Sequence, residues 1–160
     1  MSDWRVGIGY DIHRTGADRP LLLGGVSVPA EAGLVGHSDA DVLLHAVADA
    51  FLGAANLPDI GDLFPDTDPA YKDADGGTLL GEVIRRVREA GFKPSNIDAI
   101  IHAQSPKLTA HKRTIAESVA TLTGVPADRV SVKAKTGEGL DAVGRGEAIA
   151  VTVVVLLVGA

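Results

Sequence analysis

Trp4-Arg5-Val6-Gly7-Ile8-Gly9-Tyr10-Asp11-Ile12-His13 alternates without a break. Trp4, Val6, Ile8, Tyr10 and Ile12 fall on one face, and Arg5, Gly7, Gly9, Asp11 and His13 on the other. A period of two is that of a β-strand. The second face is bare at Gly7 and Gly9 and ends in an acid and an imidazole. Two residues apart on a strand, Asp11 and His13 leave the same side.

Outward from this strand, Leu21-Leu22-Leu23-Gly24-Gly25-Val26-Ser27-Val28 predicts two short strands around a Gly-Gly turn. A helix is predicted over 39–55, opened by Ser38 as its cap and closed before Pro58. Residues 56–77 read as a long irregular stretch carrying Asp59, Asp62, Asp66, Asp68, Asp73 and Asp75. Loops longer than roughly 12–15 residues are uncommon in compact domains and are usually functional or mobile. Leu79, Leu80, Val83, Ile84 and Val87 then fall at helical spacing over 78–90, stopped by Gly91. A strand over 97–104, a helix over 109–122 stopped by Gly124, a strand over 130–136 and a last strand over 147–158 complete a mixed α/β pattern. No repeat or linker divides the chain, so residues 1–160 read as one domain.

The last strand is apolar on both faces, Val151, Val153, Val155 and Leu157 alternating with Thr152, Val154, Leu156 and Val158. Helices on one side of a sheet would require only one apolar face. The second is expected to lie against another subunit, which predicts a homo-oligomer.

The 160 residues include 15 basic and 21 acidic side chains, a net charge of -6, and 46% are apolar. Such a composition excludes a mainly disordered chain. No basic tract offers nucleic acid an electrostatic footprint, and small molecules are the expected partners. The absence of cysteine excludes disulfides, thiolate nucleophiles and iron–sulfur clusters, and leaves His, Asp and Glu to hold any metal. The start of the chain has no leader pattern and the longest apolar run, 148–158, is too short to span a bilayer, so a cytoplasmic protein without membrane contact is expected.

Asp41, His45 and Asp49, four apart on the predicted helix, share an arc of roughly 80°. If that helix packs on the first strand, two imidazoles and a carboxylate meet. Such a mixed N/O set suits zinc and leaves a fourth position for a water or substrate oxygen. Asp49 would then orient a ligand histidine. Spacing alone leaves the plainer reading open, in which Asp11 and His13 are solvated and Asp41 and Asp49 form an exposed helix face. His37 and Ser38 precede the helix where its free N–H groups favour an anion, although a cap and a loop residue account for them equally. Lys135-Thr136-Gly137-Glu138-Gly139 follows a strand and combines groups able to wrap a phosphate and a divalent cation, or is an ordinary glycine turn. Gly7-Ile8-Gly9 is no dinucleotide fingerprint, since it lies inside a strand and lacks the third glycine.

Together, Gly9 to His13, Gly36-His37-Ser38-Asp39-Ala40-Asp41-Val42 with His45, Asp59-Ile60-Gly61, Phe64-Pro65-Asp66-Thr67-Asp68, Lys133 to Glu138 and Gly144-Arg145-Gly146-Glu147 closely resemble the 2-C-methyl-D-erythritol 2,4-cyclodiphosphate synthase family, in the family's order and over nearly the whole chain. The resemblance implies a lyase of non-mevalonate isoprenoid biosynthesis. In that reaction the 2-phosphate of 4-diphosphocytidyl-2-C-methyl-D-erythritol 2-phosphate attacks the β-phosphorus and CMP leaves. A zinc-dependent phosphodiester or diphosphate hydrolase is the alternative.

By the same resemblance, Asp11, His13 and His45 hold one zinc ion per subunit, His37 and Thr136 act on the reacting phosphates, and Glu138 helps hold a magnesium or manganese ion. The substrate would meet Asp11, Ile12, His13, His37, Ser38, Asp59, Ile60, Gly61, Phe64, Pro65, Asp66, Thr67 and Asp68. Its cytidine would meet Ala103, Gln104, Ser105, Pro106, Lys107, Leu108 and Thr109, largely through backbone. Lys135, Thr136, Gly137, Glu138, Ala142 and Arg145 complete the substrate-facing set. Ala142 stands where many members carry a larger apolar residue lining an axial cavity. Arg145 is expected to pair with Glu147 across subunits. The implied fold is an α/β (α+β) mixed sheet covered by helices on one face. The implied assembly is a homotrimer with sheets facing the three-fold axis and active sites between neighbours.

Overall fold

A computed structural model describes residues 3–160; Met1 and Ser2, where the expected leader-free start falls, lie outside them. The alternating N-terminal segment forms β1 (Trp4–Ala17), four residues longer than the quoted stretch. Leu21–Leu23 (β2) and Val26–Val28 (β3) make the expected hairpin, with Gly24 and Gly25 both at positive φ as a tight turn of this kind demands. After a two-residue strand β4 (Gly33–Leu34) come α1 (Val42–Ala54), the short α2 (Ile60–Leu63) and α3 (Gly76–Glu89). The remaining elements are β5 (Phe92–His102), α4 (Lys112–Thr123), β6 (Val130–Lys135), the short α5 (Asp141–Gly144) and β7 (Ala148–Gly159).

The main sheet runs β4-β1-β7-β5-β6 and is mixed: β7 lies antiparallel to both β1 and β5, while β6 runs parallel to β5 across the α4 connection. Helix α1 packs on β1 and β7, α3 on β5, and α4 on β6. The core lies between these helices and the sheet, and Val151, Val153, Val155 and Leu157 point into it. The other sheet face is uncovered. Trp4, Val6, Ile8 and Tyr10 are each more than half exposed, and Ile12 and Val154 nearly so.

Gly7 and Gly9 face α1 so closely that a Cβ on either would come within 1.9 Å of a helix carbonyl, that of Ala50 or Ala46. The bare face of the strand is therefore the seat of a helix. No helix among the described residues is long and apolar enough to cross a membrane.

Two expectations are corrected. Helix α1 is capped by Asp41, not Ser38, because Ala40 sits at φ 58, a left-handed conformation that breaks the helical path. The acid-rich stretch 56–77 is not structureless. Asp59 caps α2, Asp68 caps a 3₁₀ turn over Pro69–Tyr71 and Asp75 caps α3, each carboxylate accepting a backbone N–H.

Candidate metal centre and phosphate pockets

β1 delivers Asp11 and His13, and the first turn of α1 delivers His45. One donor atom from each lies within 4.8 Å of the others. Asp11 Oδ2 is 2.8 Å from His13 Nε2 and 3.3 Å from His45 Nδ1, and the two imidazole rings tilt toward each other with centroids 5.4 Å apart.

The outward nitrogens are engaged. His13 Nδ1 donates to the Val35 carbonyl at 2.8 Å, and His45 Nε2 lies 3.0 Å from Ser38 Oγ. These bonds orient both rings so that the nitrogen facing Asp11 offers its lone pair to a cation. Burial opposes the charge on Asp11, but hydrogen bonds from His13 and His45 outweigh it and bring the carboxyl down to about 2. Burial likewise disfavours the His13 cation, yet its bonds to Asp11 and Val35 outweigh that and raise its pKa. A carboxylate and two oriented imidazoles at this spacing fit a divalent ion with an open coordination position.

Two other helix residues have different duties. Asp41 is completely buried; its carboxylate accepts from Leu44 N and from the hairpin N–H groups of Gly24 and Gly25, at 3.0, 3.0 and 2.6 Å. Asp49 does not orient a ligand histidine: its Oδ1 accepts from Ile60 N at 2.8 Å and ties α2 to α1.

A small cavity of about 90 Å³ beside the triad is lined by His37, Ser38, His45, Ile60, Gly61, Phe64 and Asp66, all singled out in the sequence, and also by Tyr71 and Leu79. The Nε2 of His37 is buried and has no hydrogen-bond partner among the described residues. Tyr71 stands edge-on to Phe64 with centroids 5.2 Å apart. Helical periodicity marks Leu79 only as core, and no motif marks Tyr71. Asp59 and Asp68 are caps, Thr67 is exposed, and Pro65 is half-buried.

Thr136, Gly137 and Ala142 line a different cavity of about 460 Å³, shared with Tyr10, Ile12 and His102 and with no residue in common with the first. Thr136 Oγ1 accepts from Glu138 N at 3.3 Å, and Glu138 adopts φ 51. Lys135 is exposed at the end of β6. Of the expected cytidine segment, Ala103 and Leu108 are core residues, Gln104, Lys107 and Thr109 are exposed, and Ser105 and Pro106 border a third cavity of about 560 Å³. Arg145 forks onto Glu147 of its own chain, at 3.0 and 3.3 Å. The neighbouring Asp141 and Gly146 hold the turn that brings these two side chains together.

The sequence model of the YgbB family matches residues 4–158. A 2-C-methyl-D-erythritol 2,4-cyclodiphosphate synthase from Bordetella petrii is 56% identical over 154 residues, 96% of this chain and 95% of its own. One from Desulfosudis oleivorans is 57% identical, again over 96% of this chain, and 92% of its own. Among solved structures, the bifunctional IspDF from Campylobacter jejuni matches with a TM-score of 0.96 at 44% identity, covering 100% of this chain and 43% of that one. A 2C-methyl-D-erythritol-2,4-cyclodiphosphate synthase in its CDP-bound form matches with a TM-score of 0.88 at 38% identity, over 96% of this chain and 99% of that one. A family match that runs from the first sheet strand to the last, with relatives more than half identical along nearly their full length, leads to one conclusion: the chain belongs to the YgbB family.

Proposed function

We propose that this chain is a 2-C-methyl-D-erythritol 2,4-cyclodiphosphate synthase. It converts 4-diphosphocytidyl-2-C-methyl-D-erythritol 2-phosphate to the 2,4-cyclodiphosphate: a 2-phosphate oxygen bonds to the β-phosphorus, the bond from that phosphorus to the α-phosphate bridge breaks, and CMP leaves. The observation that carries this reading is the convergence of Asp11, His13 and His45 beside a pocket lined by His37 and Ser38.

The reaction presses a phosphate against a diphosphate, so negative charge must be offset. Zinc at the triad and magnesium or manganese near Glu138 would supply Lewis-acid charge neutralisation when bound. His37 and the Ser38 segment hold the methylerythritol phosphate, and the Thr136 hydroxyl stabilises charge on the transferring phosphoryl group. The segment 103–109 takes the cytidine, with Ala103 and Leu108 offering only their backbone groups. Both reacting groups belong to one molecule, so holding it folded supplies proximity worth roughly 7–11 kcal/mol in favourable cases.

The working unit is a homotrimer whose sheets face the three-fold axis. Two features support it: the uncovered apolar face formed by β1 and β7, and the separation of the Thr136 cavity from the His37 pocket within one chain. The second feature calls for a neighbour to complete each site. The reaction is placed in the cytoplasm, and no cysteine in the chain calls for an oxidising compartment.

Incubation with the cytidyl substrate, with and without chelator, followed by phosphorus NMR, tests the proposal. A cyclic diphosphate plus CMP, formed only without chelator, is expected. Two open-chain phosphates would instead identify a hydrolase.

A further inference from the structure

The ring of His13 lies against a wall built by the two residues after β4. Val35 is fastened to β1 by its N–H, which donates to the Arg14 carbonyl at 2.8 Å, and its own carbonyl accepts from His13 Nδ1 at 2.8 Å. The next residue, Gly36, carries no side chain. A Cβ built there would lie 3.0 Å from both Nδ1 and Cε1 of His13 and 2.8 Å from the Cβ of Ala40. The backbone of Gly36 is not in the left-handed region, so nothing about its conformation calls for glycine. The space does.

Ala40 itself is buried at φ 58, a conformation that glycine adopts without strain. The slot behind His13 therefore has room for one methyl group, now supplied by Ala40. A second methyl would press on the Ala40 Cβ first and on the His13 ring next, and of these two the imidazole is the side chain that can turn away.

We propose that Gly36 is a positioning residue for the metal centre: sharing a single-methyl slot with Ala40, it sets where His13 presents Nε2 to the ion. This rests on the reading that Asp11, His13 and His45 hold a divalent cation. Turning the ring about its bond to Val35 by even a few tenths of an ångström misaligns one of three donors. Changes at residues that orient a metal ligand typically cost about 10–100-fold in affinity.

The test is competition titration of Zn²⁺ against a chromophoric chelator, and the visible absorption of the Co²⁺-substituted protein, for the parent, Gly36→Ala, Ala40→Gly and the double variant. Gly36→Ala is expected to keep its far-UV circular dichroism, to bind Zn²⁺ about 10–100-fold more weakly, and to show an altered Co²⁺ spectrum. Ala40→Gly should match the parent. The double variant, with one methyl again in the slot, should regain both the affinity and the spectrum.

Unchanged affinity in Gly36→Ala overturns the proposal. So does failure of the double variant to recover, or loss of the fold in place of loss of metal. A parent that binds neither ion defeats the metal-centre reading itself, an outcome separate from all of these.

Discussion

With no ion between them, Asp11 and His13 hold each other in opposite charge states. The carboxyl is depressed to about 2, so its contribution to stability is present above the ordinary carboxylate pKa and is lost as pH falls through about 2. The imidazole is raised, so its share is present below the ordinary histidine pKa and is lost as pH rises through its folded value. In EDTA the pair thus stabilises the chain in full between about pH 4 and 6.5, by roughly 1–2 kcal/mol, and progressively less on either side. Thermal unfolding of the parent and Asp11→Asn across pH 2–9 checks this: their difference should be largest inside the window and shrink on both sides. His45→Ala leaves two donors, so stoichiometric zinc by elemental analysis and most CMP release should both disappear; near-normal turnover with full zinc would remove the triad from the chemistry. At this scale Asp11 and His13 were legible because a period of two puts them on one side, and His45 because a helix repeats near every fourth residue. The cap was not legible. Which residue caps α1 depends on the left-handed turn at Ala40, and alanine carries no signal for that conformation.

Gly7 and Gly9 show how an element is set in place. As a sequence motif they pointed nowhere, being a dinucleotide look-alike in the wrong context. In the fold they let α1 lie directly on the β1 backbone, the arrangement that brings His45 above Asp11 and His13. Gly9→Ala should cost about 3 kcal/mol or more, a fall in melting temperature of about 6–12 °C, because a rigid helix carbonyl blocks the methyl. Asp41→Ala should cost about 2–4 kcal/mol, since it removes the helix cap and leaves the hairpin N–H groups of Gly24 and Gly25 without an acceptor. Chemical denaturation of both variants measures these losses. The acid-rich stretch after α1 illustrates the opposite difficulty. Asp59 and Asp68 each start a helical turn too short to leave a periodic signature, so the stretch reads as a loop, and Asp75 falls just before the helix whose periodicity is legible.

For the whole molecule, the two-sided apolarity of β7 reads as a face meant for another subunit, and among the described residues of the chain no helix covers that face. Its partner strand was less transparent: alternation revealed two faces of β1, but not that the one bearing Trp4, Val6 and Ile8 turns outward while the glycine face turns in. Ile8, directly paired with Val154 at the centre of the bare patch, is the place to test association. Ile8→Glu should sediment as a single chain, where the parent is expected at three times the chain mass, and should lose cyclisation while retaining zinc. A variant that still assembles would remove the sheet face from the interface.

That retention follows from where the three donors originate. Asp11, His13 and His45 all come from one polypeptide, so a newly folded chain can be loaded with its ion before it meets any other. Metal loading and association would then be independent steps, and a cell starved of the ion is expected to accumulate assembled but inert particles rather than stray monomers.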